Sequence, residues 1–157
     1  MVATIGRILG IAVRGSFRGP MIELSEARAT QSAGLEGDLA SRPDRGVTLL
    51  AARQWALVQR ELQADIPWHA RRANILVGAE SLGSLIGRVL EVGDVRIHVL
   101  GETKPCHVMD RVHPGLRAVL TPDYRAGVHG RILRSGTLRV GASLVLLNQL
   151  DSPDAFS

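Results

Sequence analysis

Cysteine, lysine, aromatic residues and long hydrophobic runs are all scarce in this sequence of 157 residues. The single cysteine, Cys106, excludes an intramolecular disulfide framework and is typical of a protein in a reducing compartment. No apolar run approaches the roughly 18 residues of a membrane-spanning helix. Arg7 and Arg14 interrupt the apolar amino-terminal stretch, which therefore lacks the layout of a signal peptide. We expect a cytoplasmic protein with no membrane segment.

Stacking aromatics and a clustered basic face are also lacking, although the formal net charge is +4. There are only two Trp, one Tyr and two Phe, whereas single-stranded nucleic acids are bound by aromatics along a basic groove. The arginines are dispersed, and their longest run is the pair Arg71-Arg72. Dispersed arginine usually lies on a solvated surface, which we also expect for Arg71. The sequence therefore argues against a nucleic-acid partner.

The length of the chain corresponds to a single domain. We assign residues 1–147 to that domain and the polar residues 148–157 to a flexible tail. Short alternating segments predict strands along most of it, and glycine turns within residues 90–95 and 138–144 are typical of hairpins. A returning strand would close these hairpins into an antiparallel barrel.

Two segments predict helices. Ala51, Trp55, Val58 and Leu62 fall on one apolar face, which indicates an amphipathic helix over residues 51–62. Residues 114–120 indicate one or two further helical turns. The fold class we predict is mainly β, an antiparallel barrel that is closed or partly closed and carries one or two short helices.

The segment from Gly101 to His107 holds both the only cysteine and the only lysine. It follows an alternating run and contains Pro105, so we expect Cys106 on a loop at the end of a strand. If the loop is extended, Lys104 and Cys106 share a face, and the ammonium group would favour the thiolate. The alternative is a free buried cysteine that acts as a small hydrophobic residue.

Polar residues in two other segments are candidates for ligand binding. Arg72 and Asn74 stand just before a predicted strand and would share a face in an extended chain, and the planar fork of arginine suits phosphate or carboxylate. Asp38 follows two glycines in a tight loop and is a candidate acceptor.

The predicted strand over residues 128–133 places His129 and Arg131 on one face. A cysteine nucleophile paired with His129 or His107 is an arrangement that the sequence leaves open. A zinc site is not indicated, because one cysteine and scattered histidines match none of the common ligand spacings.

The order and spacing of several short segments resemble a MOSC domain, the module named for the carboxy-terminal part of molybdenum cofactor sulfurase. The resemblance covers roughly residues 4–147. The segments that carry it are Gly34-Leu35-Glu36-Gly37-Asp38, Val47-Thr48-Leu49-Leu50 before a helix, Arg72-Ala73-Asn74-Ile75, Gly87-Arg88-Val89-Leu90-Glu91-Val92-Gly93, Pro105-Cys106, Gly130-Arg131-Ile132-Leu133 and Gly136.

The resemblance implies a barrel-like β fold and a pterin-based molybdenum cofactor. It implies that Cys106 either ligates molybdenum or carries sulfur as a persulfide, and that Arg72 and Asn74 lie where the family holds the cofactor. The soft thiolate and the arginine fork agree with these roles. To these we add Asp38, Lys104, His129 and Arg131 as candidate cofactor contacts. These seven residues are the predicted site.

The resemblance also implies two classes of function. The first is reduction of N-hydroxylated compounds, which would need a separate electron donor because the sequence has no cysteine set for an iron–sulfur cluster. Sulfur transfer, with a cysteine desulfurase as partner, is the related reaction. The alternative is a carrier or binding module for cofactor or sulfur that performs no turnover.

Overall fold

A computed structural model describes residues 3–147, and strands dominate its architecture. The predicted tail, residues 148–157, lies outside the described residues. The strands are β1 Ala3–Val13, β2 Ile22–Leu24, β3 Glu26–Thr30, β4 Gly34–Leu35, β5 Val47–Ala51, β6 Ile75–Val77, β7 Val89–Val92, β8 Val95–Glu102, β9 Val128–Arg134, β10 Gly136–Arg139 and β11 Ser143–Leu146. The helices are α1 Ala52–Leu62, α2 Met109–Val112 and α3 Leu116–Leu120.

Seven of the strands close into a barrel. Their order is β11, β7, β8, β9, β5, β6, β1, and pairing of β1 with β11 joins the two ends. The long strand β1 makes this possible, because its first half pairs with β11 and its second half with β6 and then β2. The predicted mainly β barrel is confirmed, and it is closed.

One pair of barrel strands is parallel, which the prediction of an antiparallel barrel did not include. β5 and β6 run in the same direction, with Leu49 opposite Ile75. Parallel neighbours need a crossover connection, and α1 with the segment that follows it supplies one. The helix packs on the outside of β5, so Leu49 faces the barrel interior while Leu50 faces the helix.

A second, smaller sheet of three strands lies beside the barrel in the order β10, β3, β4. β3 and β10 pair antiparallel, with Arg28 opposite Thr137. The chain leaves β4 into a loop over residues 36–46 and then enters β5 of the barrel. The smaller sheet therefore fixes one end of that loop and the barrel fixes the other.

The helix predicted over residues 51–62 is confirmed as α1, and the shorter predicted helix is α3, which begins after Gly115. The structure adds α2, directly after the cysteine loop. α1 and α3 pack together around Trp55, Leu116 and Leu120, which form a second hydrophobic core outside the barrel. Within residues 3–147 no helix combines the length and apolar character needed to cross a membrane.

Trp55 anchors this second core, and we expect Trp55→Phe to lower the free energy of unfolding by about 1–2 kcal/mol. The indole is 4% exposed and its Nε1 donates a hydrogen bond to the carbonyl of Ile66 at 3.0 Å. Phenylalanine keeps most of the packing but leaves that carbonyl without its donor. Urea unfolding followed by circular dichroism measures the change.

Trp68→Phe is the matched control, because the Trp68 indole donates to Glu23 in an exposed position. Water replaces an exposed partner, so this variant should cost less than Trp55→Phe. Equal costs for the two variants would show that the buried hydrogen bond of Trp55 contributes nothing to stability.

Candidate functional site

Five arginine side chains line a cavity of about 470 Å³. It lies at the edge of the barrel where β5 and β6 begin and β1 ends. Its lining residues come from the loop after β1, the loop over residues 36–46, the start of β5, the turn before β6 and the end of β8. They are Arg14, Met21, Asp38, Ala40, Arg42, Asp44, Arg45, Thr48, Arg71, Arg72, Asn74 and Thr103. We call this the arginine cavity.

Positive charge exceeds negative charge in the arginine cavity, where five arginines face two aspartates. Within residues 3–147, the guanidinium groups of Arg14, Arg42 and Arg72 have no hydrogen-bond or ion-pair partner. Arginine in an ordinary surface network is neutralised by nearby carboxylates. Unpaired guanidinium groups around one concave space favour a multiply charged anion, because each can donate two parallel hydrogen bonds.

Arg71 is buried beneath the arginine cavity, so the expectation that it lies on the solvated surface was wrong. Its Nε donates to the carbonyl of Ala126 at 3.1 Å and its Nη2 to the carbonyl of Thr103 at 2.9 Å. Burial lowers the pKa of Arg71 to about 10, an effect that Cys106 opposes and Arg45 reinforces. The group still carries its charge at neutral pH.

The local backbone explains why Arg71 points inward. The prediction assumed an extended chain, in which Arg72 and Asn74 face one way and Arg71 the other. Instead, residues Trp68–Arg71 form a 3₁₀ turn that ends at Arg72, whose φ of 68° is left-handed. This conformation is rare for a residue other than glycine and is often found at functional sites. It leaves Arg72 exposed at the cavity while Arg71 is enclosed.

Asn74 and Asp38, two of the residues of the predicted site, line the cavity, but their polar atoms are largely occupied by hydrogen bonds within the protein. The Oδ1 of Asn74 accepts from the backbone nitrogen and the hydroxyl of Thr48, both at 3.0 Å, and its Nδ2 donates to Ala12. The carboxylate of Asp38 accepts from the backbone nitrogen of Arg14 and from the hydroxyl of Ser41. Both side chains therefore hold the walls of the cavity in place.

Cys106 is exposed on the loop between β8 and α2, so the alternative of a buried structural cysteine is wrong. It is close enough to Arg71 for its charge to favour the protonated guanidinium. The carbonyl of Cys106 accepts a hydrogen bond from Met109, which ties the loop to α2. Lys104 is exposed on the same loop. The cysteine thus stands beside the arginine cavity without lining it.

His129 and Arg131 lie on β9 and also do not line the arginine cavity. His129 pairs with Thr48 on one side and Gly101 on the other, which puts it between the cavity wall and the strand that leads to Cys106. Burial lowers the pKa of His129, and Arg45 lowers it further, against smaller opposing effects of Asp44 and a backbone hydrogen bond. The net lowering of the His129 pKa favours the neutral imidazole.

The hydroxyl group of Thr103 is a second, independent observation that favours a ligand in the arginine cavity. This hydroxyl is buried at the cavity lining and has no hydrogen-bond partner within residues 3–147. Buried hydroxyl groups are rarely left unpaired in native proteins. The same residue donates its backbone nitrogen to Gly127 and accepts from Arg71, so its position is well defined.

A metal held by several protein side chains is not indicated. Within residues 3–147 no group of three or more His, Cys, Asp or Glu residues is placed to hold a metal ion. Any metal at Cys106 would therefore take most of its ligands from a bound molecule. An anionic cofactor seated among the arginines fits this donor set.

The closed barrel, its basic cavity and the exposed cysteine beside it define a class of small β-barrel proteins with an anion site next to a thiol. The chain belongs to the MOSC domain family, since the sequence model of the MOSC domain matches residues 36–145. This confirms the family that the sequence motifs resemble. No curated protein sequence matches the chain significantly.

Solved structures show the same fold. The YuaD protein from Bacillus subtilis has a TM-score of 0.77 and 16% identity, and the match covers 95% of this chain and 99% of that one. YiiM from Escherichia coli has a TM-score of 0.72 and 19% identity over 93% of this chain and 72% of that one. YiiM from Geobacillus stearothermophilus has a TM-score of 0.67 and 15% identity, and the match covers 99% of this chain and 81% of that one. At these identities the similarity establishes the fold alone.

Proposed function

We propose that this protein binds a pterin-based molybdenum cofactor in the arginine cavity, with Cys106 as molybdenum ligand or persulfide carrier. The observation that carries the proposal is the set of unpaired guanidinium groups of Arg14, Arg42 and Arg72 beside an exposed cysteine. Phosphate is the part of the cofactor that such groups would bind. A thiolate at the edge suits a thiophilic metal.

Each part of the cavity has a separate task in this proposal. Arg14, Arg42 and Arg72 bind the phosphate end. Arg71, with its buried charge, and Thr103 belong to the cavity lining and orient the bound group. When bound, the cofactor supplies the metal centre for reduction of N-hydroxylated compounds, and the electrons come from a separate donor.

We propose that His129 acts next to the same wall through a group that lies between it and the bound molecule. Its Nδ1 is buried without a hydrogen-bond partner in the described residues, and the residue does not line the cavity. We propose Lys104 and Arg131 as outer contacts, because both are exposed cations on strands or loops next to the site. Asp38 and Asn74 position the arginines through the hydrogen bonds that fix the cavity walls.

The alternative is a carrier that holds the cofactor or a persulfide and performs no turnover. Both functions use the same cavity and the same cysteine, so metal content does not separate them. Protein produced in a host that makes the cofactor should be assayed with N-hydroxylated compounds and an artificial electron donor. Turnover favours the reductase. Loaded protein without turnover that passes cofactor or sulfur to an acceptor protein favours the carrier.

We expect Arg72→Ala to weaken cofactor binding about tenfold, because it removes one charge-assisted interaction with the phosphate end. Molybdenum and pterin content after purification, and titration with the isolated cofactor, measure the loss. The matched control is Arg53→Ala, an exposed arginine paired with Glu80 that does not line the cavity. If both variants retain the cofactor like the parent, the cofactor's phosphate does not bind at Arg72.

A further inference from the structure

A second basic pocket of about 470 Å³ lies on the smaller sheet and shares no lining residue with the arginine cavity. It is bounded by the turn between β7 and β8, the turn between β9 and β10, and the outer face of β3 and β10. Its lining residues are Arg28, Gly93, Asp94, Arg134, Ser135, Gly136, Thr137 and Arg139. We call it the second-sheet pocket.

Strand alternation brings the cations of this pocket together. On β3, Ala27 and Ala29 are buried while Arg28 between them is exposed. On β10, Leu138 is buried while Thr137 and Arg139 face the other way. Arg28 and Thr137 are direct partners in the antiparallel pair, so a hydroxyl lies next to a guanidinium on the outer face.

Arg134 adds a guanidinium group to the pocket, and contacts within the protein fix its orientation. Its Nε donates to the backbone carbonyl of Asp94 at 2.6 Å, and its Nη2 lies 3.7 Å from the carboxylate of Glu91. That carboxylate is engaged more closely by Arg96, at 2.9 Å. One carboxylate between two arginines leaves positive charge in excess, and Arg134 keeps nitrogen atoms for a further acceptor.

The other two arginines of the pocket, Arg28 and Arg139, can also donate hydrogen bonds to an anion. The guanidinium of Arg28 has no hydrogen-bond or ion-pair partner in the described part of the chain. Arg139 pairs with Glu26 at 3.1 Å, but both side chains are more than half exposed. Exposed ion pairs contribute little and exchange readily with another anion. Against the three arginines the lining has one carboxylate, that of Asp94.

We propose that the second-sheet pocket binds a compact, multiply charged anion of the phosphate class. Three guanidinium groups and the hydroxyl-bearing residues Ser135 and Thr137 line this space together with Gly93, where an added side chain carbon would meet no other atom within 4 Å. A tetrahedral oxyanion can accept from several such donors at once. Free phosphate and the phosphate group of a metabolite share this chemistry. The site is independent of the cofactor proposed for the arginine cavity.

The test is titration of the full chain with inorganic phosphate, followed by amide chemical shifts in two-dimensional NMR at constant ionic strength. We expect saturable shifts at residues 93–94 and 134–139. Arg28→Ala should weaken the affinity measured from these shifts about tenfold. Asp94→Asn, which removes the negative charge from the lining, should strengthen it. Arg117→Ala, an exposed arginine of α3 outside both cavities, should leave it unchanged.

A second titration with glycerol phosphate distinguishes the two sources of the ligand. Tighter binding of the ester would identify a phosphorylated metabolite, and equal affinities would identify free phosphate. Shifts confined to residues around the arginine cavity, or equal shifts with chloride, would overturn the proposal. Because the two pockets share no lining residue, failure here leaves the proposed cofactor site untouched, and loss of cofactor binding in Arg72→Ala leaves this site untouched.

Discussion

Cys106→Ser is expected to abolish retention of molybdenum, or formation of a persulfide, while the fold stays intact. Serine has nearly the same volume but replaces a soft sulfur ligand with a hard oxygen, so the affinity for a thiophilic metal should fall steeply. Sulfur transfer through a persulfide is impossible without the sulfur atom. Metal analysis and thiol-specific labelling of protein from a cofactor-producing host measure the two losses.

Stability provides the internal control for this substitution. The side chain of Cys106 is exposed, so the free energy of unfolding should change by no more than about 0.5 kcal/mol. Lys104→Gln on the same loop serves as the matched variant and should retain the metal, because the lysine ammonium group has no lone pair with which to ligate a metal. A Cys106→Ser protein with the metal content and turnover of the parent would contradict the central role given to this residue.

Arg71→Met is expected to reduce the affinity for the cofactor about 100-fold with little change in stability. Methionine keeps an unbranched apolar side chain and removes the charge beneath the arginine cavity. Burial lowers the pKa of Arg71 to about 10, so keeping the charged group in the interior costs on the order of 3 kcal/mol. Losing the two hydrogen bonds to Ala126 and Thr103 costs about 1–3 kcal/mol each. The two effects roughly cancel in the free energy of unfolding.

Because the two effects on the free energy of unfolding roughly cancel, Arg71→Met can distinguish a ligand-binding role of Arg71 from a structural one. Arg71 keeps its charge in the interior at this cost and without a carboxylate partner in the described residues. An anionic ligand in the arginine cavity would offset the cost of burying the charge. Arg71→Lys retains the charge but cannot reach both carbonyls, so we expect an intermediate loss of affinity. Unfolding measurements and cofactor titration on both variants provide the test. Strong destabilisation of Arg71→Met with unchanged affinity would assign the residue to the fold alone.

Much of the fold was predictable because it depends on local patterns. Short alternating segments predicted strands along most of the domain, and the apolar face that includes Trp55 predicted α1. The short helix α2 was missed, because four residues carry too little periodicity to be recognised. The parallel pairing of β5 and β6 was missed because it depends on where α1 returns the chain.

The positions of the predicted site residues depended on the tertiary structure more strongly than the fold class did. Motif order pointed to Arg72, Asn74 and Asp38, and the structure brings all three to one cavity. It places Cys106, Lys104, His129 and Arg131 outside the cavity lining. Three further cations, Arg14, Arg42 and Arg45, come from loops whose paths no local pattern describes. The adjacent pair Arg71-Arg72 was the available signal for Arg71, and it could not show which of the two is buried.

The sequence by itself determined the family, the strand-rich fold class and the loop that carries Cys106, because each depends on residue order and on alternation between neighbouring positions. Only the tertiary structure decided how the charges are arranged. The left-handed backbone of Arg72 turns Arg71 inward, and closure of the barrel by β11 and β1 is a long-range contact. Convergence of five arginines from three separate segments is a property of the folded chain, since electrostatic interactions depend on distances in space.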